Sequence, residues 1–248
     1  MNIQQNFDIL ANFPITHKTW VMMLEGDTGS FHVPGQFVNI ALPGKYLRRP
    51  ISVCDYSENS LTLLYDVVGE GTRQMSRMRP EEKLDILVGL GNGFSIPENI
   101  SNPLLLGGGI GCAPLVNLAK ELKKGGKNPT VILGFNNSED CDRIPEFFRT
   151  HDIEPVIATV DGSIGTKGFV TDAIRELNIN GDYFYACGPM PMLKAISNTL
   201  EIDGELSIES RMGCGFGICM CCSVETTDGA KRICKDGPVF RKEELRWK

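Results

Sequence analysis

The sequence has 248 residues, of which 42% are hydrophobic and 23% are charged, a composition typical of a soluble globular protein with about two domains and a small addition. Its formal net charge of −6 argues against a nucleic acid as partner. No apolar run approaches the roughly 20 residues that a membrane-spanning helix needs. Nine cysteines without a recognisable secretory segment predict a cytoplasmic protein whose thiols stay free to bind metals.

The first hundred residues predict a β-rich domain. Short apolar segments recur at regular spacing and are separated by turns rich in Gly, Pro, Asn and Asp, which is typical of a barrel or sandwich. One helix is expected over 72–78. The predicted strands cover 7–12, 19–26, 36–42, 50–56, 60–68 and 83–91.

From about residue 103 the pattern changes to strands that alternate with helices. This alternation predicts a parallel sheet with crossover connections. We therefore expect three parts: a barrel over 1–100, an α/β domain over 101–207 and a cysteine-rich region over 208–248. The predicted strands of the second part cover 104–108, 130–135, 154–160, 182–188 and 205–210, and its helices 113–124, 168–177 and 191–202.

Two short motifs in the barrel have the chemistry of phosphate binding. The segment Arg49-Pro50-Ile51-Ser52 combines a forked guanidinium with a hydroxyl three residues later. The turn Gly69-Glu70-Gly71-Thr72 feeds a helix N-terminus, where free N–H groups attract anions. Taken alone, the first motif fits a surface arginine equally well, and the second fits an ordinary turn and cap.

Two loops of the α/β domain are candidates for a nucleotide site. Gly107-Gly108-Gly109-Ile110-Gly111 lies between a strand and a helix, the context in which a glycine loop approaches a pyrophosphate, although it is not a literal GxGxxG. Cys187-Gly188-Pro189-Met190 follows another strand, and ligands bind at the carboxyl ends of such strands. The alternatives are a tight turn for the first loop and a buried small hydrophobe for Cys187.

Near the C-terminus four cysteines have the spacing C-x4-C-x2-C…C of plant-type [2Fe–2S] ferredoxins. They are Cys214, Cys219, Cys222 and Cys234. Glycines between the first two allow the backbone to wrap a cluster and point N–H groups at sulfur. Zinc is the alternative, but it usually takes two CxxC pairs, and only Cys219 and Cys222 form one. The sequence assigns no role to Cys112 or Cys221.

In this order, the motifs RPIS, GEGT, GGGIGCAP and CGPM resemble the ferredoxin–NAD(P)+ reductase superfamily. RRPIS, LLYDVVGEGT, ACGPMPML and ESRMGCGFGICMCC together resemble the electron-transfer subunits of NAD-dependent (B-type) dihydroorotate dehydrogenases, essentially end to end. The resemblance implies a six-stranded antiparallel FAD-binding barrel, a Rossmann-like domain and a C-terminal [2Fe–2S] loop. It implies FAD on Arg49, Pro50, Ile51, Ser52, Leu64, Tyr65, Asp66, Gly71 and Thr72, NAD on Gly108, Gly109, Gly111, Cys187, Gly188 and Pro189, and the cluster on the four cysteines. Ile51 replaces the tyrosine of the wider superfamily, so flavin stacking there must be aliphatic.

The resemblance also implies a place in pyrimidine biosynthesis. An FMN-containing catalytic subunit would oxidise dihydroorotate, and electrons would pass through the [2Fe–2S] cluster and FAD to NAD+, in a heterotetramer of two plus two subunits. No catalytic acid or base is expected on this chain. NAD is favoured over NADP because no arginine follows the strand 130–135 before Arg143. The alternatives are a reductase subunit of a sulfide dehydrogenase or ferredoxin–NADP+ reductase, and a redox-sensing or zinc-stabilised binding module.

Overall fold

The computed structural model describes residues 3–247, and its N-terminal half confirms the predicted barrel. Six strands pair antiparallel and close in the order β1-β2-β5-β4-β3-β6. A short helix follows β5, somewhat earlier than predicted. The elements are β1 (Gln4–Pro14), β2 (Thr19–Glu25), β3 (Phe37–Ile40), β4 (Arg49–Tyr56), β5 (Ser60–Asp66), α1 (Glu70–Met75) and β6 (Lys83–Leu90).

The barrel is stabilised by an apolar interior. Alternate side chains such as Phe7, Met22, Leu24 and Leu63 are fully buried in one cluster. Closure also leaves no strand edge unpaired, since each of the six strands has two neighbours. Of the two candidate phosphate motifs, the segment 49–52 lies in β4 and the segment 69–72 lies at the start of α1, so both are carried on the barrel.

The second half is the predicted α/β domain followed by the cysteine-rich region. None of the helices among the described residues is long and apolar enough to cross a bilayer. The strands are β7 (Leu104–Gly108), β8 (Thr130–Phe135), β9 (Val156–Thr159), β10 (Thr166–Lys167), β11 (Phe184–Cys187), β12 (Gly204–Ser207), β13 (Ser223–Thr226), β14 (Gly229–Arg232) and β15 (Val239–Arg241). The helices are α2 (Ala113–Lys124), α3 (Ser138–Cys141), α4 (Glu146–Arg149), α5 (Val170–Glu176) and α6 (Met190–Thr199), with single 3-10 turns at Gly109–Cys112 and Lys242–Glu244.

Seven of these strands form one sheet, in the order β10-β9-β8-β7-β11-β12-β15. The first six are parallel, as predicted, and β15 joins β12 antiparallel with Glu205 opposite Arg241. The sequence did not reveal β15, because three residues are too short to show a period. The division at residues 207 and 208 remains a prediction, and the segment after it contributes a strand to the sheet of the preceding segment.

The barrel and the sheet share a core. Val21, Cys54 and Leu64 from the barrel belong to the same buried cluster as the apolar face of α2. At its rim, Asp55 of β4 accepts hydrogen bonds from Asn117 (2.7 Å) and Lys120 of α2. The two domains are therefore held in a defined relation, and a cleft between them has fixed walls.

Candidate functional site

A cleft of about 360 Å³ lies between the barrel and the sheet; we call it the interdomain cleft. Its size suits a bound cofactor. Eight of the nine residues that the resemblance assigned to FAD line it, and the ninth, Gly71, packs against one of them. The lining residues are Phe37, Arg49, Pro50, Ile51, Ser52, Leu64, Tyr65, Asp66, Val68, Thr72, Ile110, Ala113, Ser207, Ile208, Glu209, Ser210, Met212 and Pro238.

The two phosphate motifs of the barrel meet in this cleft. A Cβ atom placed on Gly71 would overlap Nε of Arg49 and lie 2.8 Å from its Cζ. Glycine at this position therefore lets the arginine side chain cross the start of α1. Thr72 Oγ1 accepts from the backbone N–H of Val68 at 3.0 Å and so holds the turn in place. Residues more than twenty positions apart in the sequence thus form one polar corner.

The strand segment Leu64–Asp66 presents mainly its backbone to the cleft. Tyr65 points into the barrel, where its hydroxyl donates to Asn12 Oδ1 at 2.8 Å, and burial raises its pKa. Asp66 accepts from the Thr19 hydroxyl at 2.6 Å, which fixes its carboxylate. This arrangement would let the strand contact a flavin largely through backbone groups.

Glu209 also faces the interdomain cleft, and the sequence analysis missed it. It lies beyond the carboxyl end of β12, although the prediction continued this strand to residue 210. Its carboxyl remains open to solvent along the cleft but is otherwise surrounded by protein. This partial desolvation, together with the charge of Asp66, raises its pKa. The rule that ligands bind at the carboxyl ends of parallel strands could have identified it.

A second cleft of about 400 Å³ lies at the carboxyl edge of the sheet; we call it the sheet-edge cleft. Gly108, Gly109 and Pro189 line it, as predicted residues of a nucleotide site. Gly111, Cys187 and Gly188 are not among its lining residues within 3–247. The lining residues are Lys18, Gly108, Gly109, Gly134, Phe135, Asn136, Asp140, Val160, Gly168, Phe169, Val170, Thr171, Pro189, Pro191, Met192 and Ala195.

The glycines of the loop after β7 have different tasks. Gly109 has a φ of +54° and open space where a side chain would be. A Cβ on Gly108 would lie 2.5 Å from Met192 Sδ, and one on Gly111 would lie 2.5 Å from the carbonyl oxygen of Cys187. Gly108 and Gly111 therefore allow the two predicted nucleotide loops to pack together, while Gly109 leaves room for a ligand. Burial raises the pKa of the Cys187 thiol, so this side chain is neutral.

A side chain from the barrel reaches the sheet-edge cleft. Lys18 Nζ lies 2.6 Å from Asp140 Oδ1, and Asn136 donates to Oδ2 at 3.0 Å. Burial by itself would raise the pKa of Asp140, but these partners outweigh it and lower the pKa. Arg143 is not among the lining residues within the described chain. Phe169, also missed from the sequence, leaves 61% of its surface exposed at this cleft.

The four cysteines form two pairs. Cys214 N–H points at Cys219 Sγ (3.4 Å), and Cys234 N–H points at Cys222 Sγ (3.4 Å). Within residues 3–247 no three His, Cys, Asp or Glu side chains converge so as to hold one metal ion. Two pairs of thiols are the donor set of a two-iron cluster, in which each iron takes two thiolates. The residues present fit that group.

Backbone N–H groups favour a thiolate at the first cysteine. Burial acts against this, but N–H donors of Cys219, Phe216 and Ile218 outweigh it and lower the pKa of Cys214 to about 6. Burial and the neighbouring Cys222 raise the pKa of Cys234 to about 12 in the absence of metal. Cys221 is exposed and points at the carbonyl of Arg211, 3.9 Å from Sγ.

The chain is also similar in sequence to known proteins. Residues 209–246 match the family model of the iron–sulfur cluster binding domain of dihydroorotate dehydrogenase B. The chain is 42% identical over 254 residues to the electron transfer subunit of dihydroorotate dehydrogenase B (NAD+) from Geobacillus sp., covering 98% of both chains. It is 41% identical over 243 residues to that from Fusobacterium nucleatum, covering 92% of this chain and 93% of the relative.

Among solved structures, the NADH-dependent reduced ferredoxin-NADP oxidoreductase superposes with a TM-score of 0.88 at 32% identity, covering 100% of this chain and 92% of the other. The ferredoxin reductase of carbazole 1,9a-dioxygenase shares the fold, with a TM-score of 0.68 at 21% identity over 79% of this chain and 64% of the other. The chain therefore belongs to the family of electron transfer subunits of dihydroorotate dehydrogenase B (NAD+).

Proposed function

We propose that the chain carries electrons between an FMN-containing dihydroorotate dehydrogenase subunit and NAD+ in pyrimidine biosynthesis, with FAD in the interdomain cleft and a [2Fe–2S] cluster on the cysteine pairs. One observation carries the proposal: the cleft that gathers the predicted flavin residues also contains Met212. Met212 is two residues from Cys214, so the candidate flavin and cluster sites adjoin. The name of the relatives, electron transfer subunit of dihydroorotate dehydrogenase B (NAD+), supports a role in electron transfer.

In this proposal the corner formed by Arg49, Gly71 and Thr72 binds the pyrophosphate of FAD. Ile51, Ser52 and the backbone of Leu64–Asp66 would contact the isoalloxazine. The hydrogen bonds of Tyr65 to Asn12 and of Asp66 to Thr19 keep that strand rigid. A rigid strand would hold the isoalloxazine in one position.

NAD+ would occupy the sheet-edge cleft, with Gly109 next to its pyrophosphate. Gly108, Gly111, Cys187 and Gly188 shape this site by packing the two loops together. Asp140 is engaged by Lys18, and the described residues that line the cleft include no arginine that would match a 2′-phosphate. These features support NAD over NADP.

We propose no catalytic acid or base on this chain. When bound, the cluster supplies one-electron transfer, FAD converts between single electrons and electron pairs, and the nicotinamide carries a hydride. The chain's own residues bind and orient these groups and exclude water. Two histidines support this proposal, because neither lines either cleft. His17 Nε2 lies 3.5 Å from Asp140 Oδ1, and His151 Nε2 lies 3.9 Å from Asp55 Oδ2.

The catalytic partner would dock over the cysteine loop. Phe216, Ile218 and Met220 of this loop are 40%, 76% and 52% exposed. Large apolar side chains that stay exposed in one patch mark interaction surfaces. We propose a cytoplasmic heterotetramer of two plus two subunits. None of the nine cysteines, all of which lie among the described residues, forms a disulfide, which fits a reducing compartment.

The test is a titration of the chain purified with its FMN-containing partner. NADH, added without oxygen, should bleach both the flavin and the iron–sulfur absorbance, and dihydroorotate should do the same. Iron and acid-labile sulfide should be present in equal amounts. Failure of the iron–sulfur band to respond to either reductant would exclude the relay.

A second candidate is a ferredoxin-dependent reductase, because the structure of the ferredoxin-NADP oxidoreductase matches the whole chain. The same titration distinguishes the two. Reduction by reduced ferredoxin but not by dihydroorotate, or a strong preference for NADPH, would favour this second function.

A further inference from the structure

Asn39 joins the barrel to the cysteine loop. It lies on β3 and is 1% exposed, and its Nδ2 donates to the backbone carbonyl of Cys214 at 3.2 Å. The two residues are 175 positions apart. The carbonyl belongs to the first cysteine of the pairs, so the contact lies at the start of the candidate cluster site.

Gly215 rests directly on the Asn39 amide. Its φ is +81°, and a Cβ atom there would overlap Nδ2 and lie 3.1 Å from Cγ of Asn39. A glycine is thus required at 215 for two separate reasons, the backbone conformation and the close approach. The second reason exists only because Asn39 is present.

Asn39 is also linked to the candidate flavin segment. It lies opposite Pro50 in the β3–β4 pairing. Its backbone carbonyl accepts from Arg48 at 3.3 Å, and Arg48 grips both carboxylate oxygens of Asp85 at 2.9 and 3.0 Å. One strand residue therefore touches the cysteine loop with its side chain and the segment assigned to FAD with its backbone.

The amide of Asn39 is a poor choice for stability alone. Its Oδ1 is buried and has no hydrogen-bond partner among residues 3–247. A buried acceptor without a partner is unfavourable, and an apolar side chain of similar shape would avoid that cost. Only the N–H side of the amide makes a side-chain hydrogen bond among the described residues, and this group faces the cysteine loop.

From these contacts we infer that Asn39 is a positioning residue: it fixes the cysteine loop on the flavin-binding face of the barrel and, through its N–H dipole, raises the reduction potential of the cluster. Hydrogen bonds and fixed dipoles near a cluster are among the protein's means of setting its potential. The inference rests on the proposed function, because it presupposes a cluster on the four cysteines.

The test uses the holoprotein purified with its partner and compares Asn39→Leu and Asn39→Asp with the wild type. The cluster potential is measured by a redox titration followed by EPR. In Asn39→Leu we expect the ratio of reduced to oxidised cluster at a fixed potential to fall about tenfold, equivalent to about 59 mV for one electron. Asn39→Asp should lower the reduction potential of the cluster further, because the substitution adds a negative charge. Thermal stability of Asn39→Leu should change little.

Asn92→Ala is the matched control. Asn92 makes the same kind of contact, from Nδ2 to the carbonyls of Asp236 (3.1 Å) and Val239 (3.0 Å), but beyond the last cysteine. This variant should lose stability while keeping the wild-type potential and EPR spectrum. An unchanged potential in both Asn39 variants, or an equal shift in Asn92→Ala, would overturn the inference.

A double-mutant cycle keeps the test decisive if a single variant folds poorly. Gly215→Ala alone should lose its cluster to a chelator at least tenfold faster than the wild type. In Asn39→Ala/Gly215→Ala the overlap is gone, and cluster loss should be slower than in Gly215→Ala. If the effects of the two substitutions on the rate of cluster loss simply add in the double variant, Asn39 does not support the loop. A wild type without iron would instead refute the proposed function itself.

Discussion

At the scale of single residues, the glycines around the clefts do not contribute equally. Gly71 and Gly69 belong to the same turn, but only Gly71 faces another side chain closely. Their motif, GEGT, suggested a phosphate site through backbone N–H groups. The geometry adds that Gly71 is needed to seat Arg49, which the spacing of the motif could not reveal.

Gly71→Ala should therefore weaken FAD binding. The added Cβ displaces Arg49 from its position in the interdomain cleft, and we expect at least a tenfold loss of affinity, about 1.4 kcal/mol. Gly69→Ala is the control, since a Cβ there meets nothing within 4 Å and its φ of −155° suits any residue. Flavin fluorescence released on dilution measures both. Equal loss in the two variants would contradict the assigned role.

The cysteine loop offers a second comparison. Cys219→Ser should abolish the cluster, because a serine hydroxyl is far less readily ionised than a thiol, while FAD content stays near the wild-type value. Cys221→Ser should retain the cluster, since its side chain points at the carbonyl of Arg211. Iron content and visible absorbance, each measured relative to flavin, show which of the two variants retains the cluster. Cluster loss in Cys221→Ser would mean that the ligand set is different.

At the scale of elements, the sequence was most informative where a cofactor demands several residues close together in the chain. Glycine turns, RPIS and the cysteine spacing are such segments, and the strand–helix alternation predicted the parallel sheet. Contacts between distant segments could not be predicted. Asn39, Lys18 and Glu205 lie in ordinary strands or turns, and their tasks depend on partners that folding brings near. Three residues of β15 likewise carry no periodic signal.

Glu205 on β12 shows what such a contact does. It is 5% exposed, and it accepts from the backbone N–H of Ser95 at 2.9 Å, in the segment that connects the barrel to β7. Burial raises its pKa, although Ser95 and Arg241 act in the other direction. A carboxyl with a raised pKa in the folded state binds protons more tightly than in the unfolded chain. Its contribution to stability is complete below the unfolded pKa, about 4.3, and is lost as the pH rises through the folded pKa.

Glu205→Gln should remove this pH dependence. The variant stays neutral, so its free energy of unfolding should increase relative to that of the wild type as the pH rises from about 4.3 through the folded pKa of Glu205. Urea denaturation at several pH values measures the difference. A difference that does not vary with pH would show that Glu205 titrates alike in the folded and unfolded states.

At the scale of the molecule, the two domains are joined by a half-buried polar contact in addition to their shared core. Lys120 is 14% exposed and pairs with Asp55 across the domain boundary. It also donates to the carbonyl of Tyr56 at 3.1 Å. The interdomain cleft lies between the same two bodies, so we expect this contact to help hold them together around the candidate flavin site.

Lys120→Met should lower the free energy of unfolding by about 2 kcal/mol, between the values for exposed and fully buried ion pairs. Lys124→Met is the control on the same helix, because its partner Glu121 is exposed and such pairs contribute well under 1 kcal/mol. Urea denaturation followed by circular dichroism compares them. Equal destabilisation by the two substitutions would show that the interdomain ion pair contributes no more to stability than the exposed pair on the same helix.

The strand β15 has a consequence for modularity. It covers the outer edge of β12, and two further contacts fasten the chain end: a bridge between Thr226 and Leu245, and a 2.9 Å hydrogen bond from Trp247 Nε1 to Ser197. A chain cut after residue 235 would keep all four cysteines, yet it would lose Pro238 from the interdomain cleft and present a bare sheet edge, which invites aggregation. The cysteine region is therefore not an independent module. Recombination could not exchange it for another electron-carrying segment without also replacing β15, the strand that covers the edge of the seven-stranded sheet.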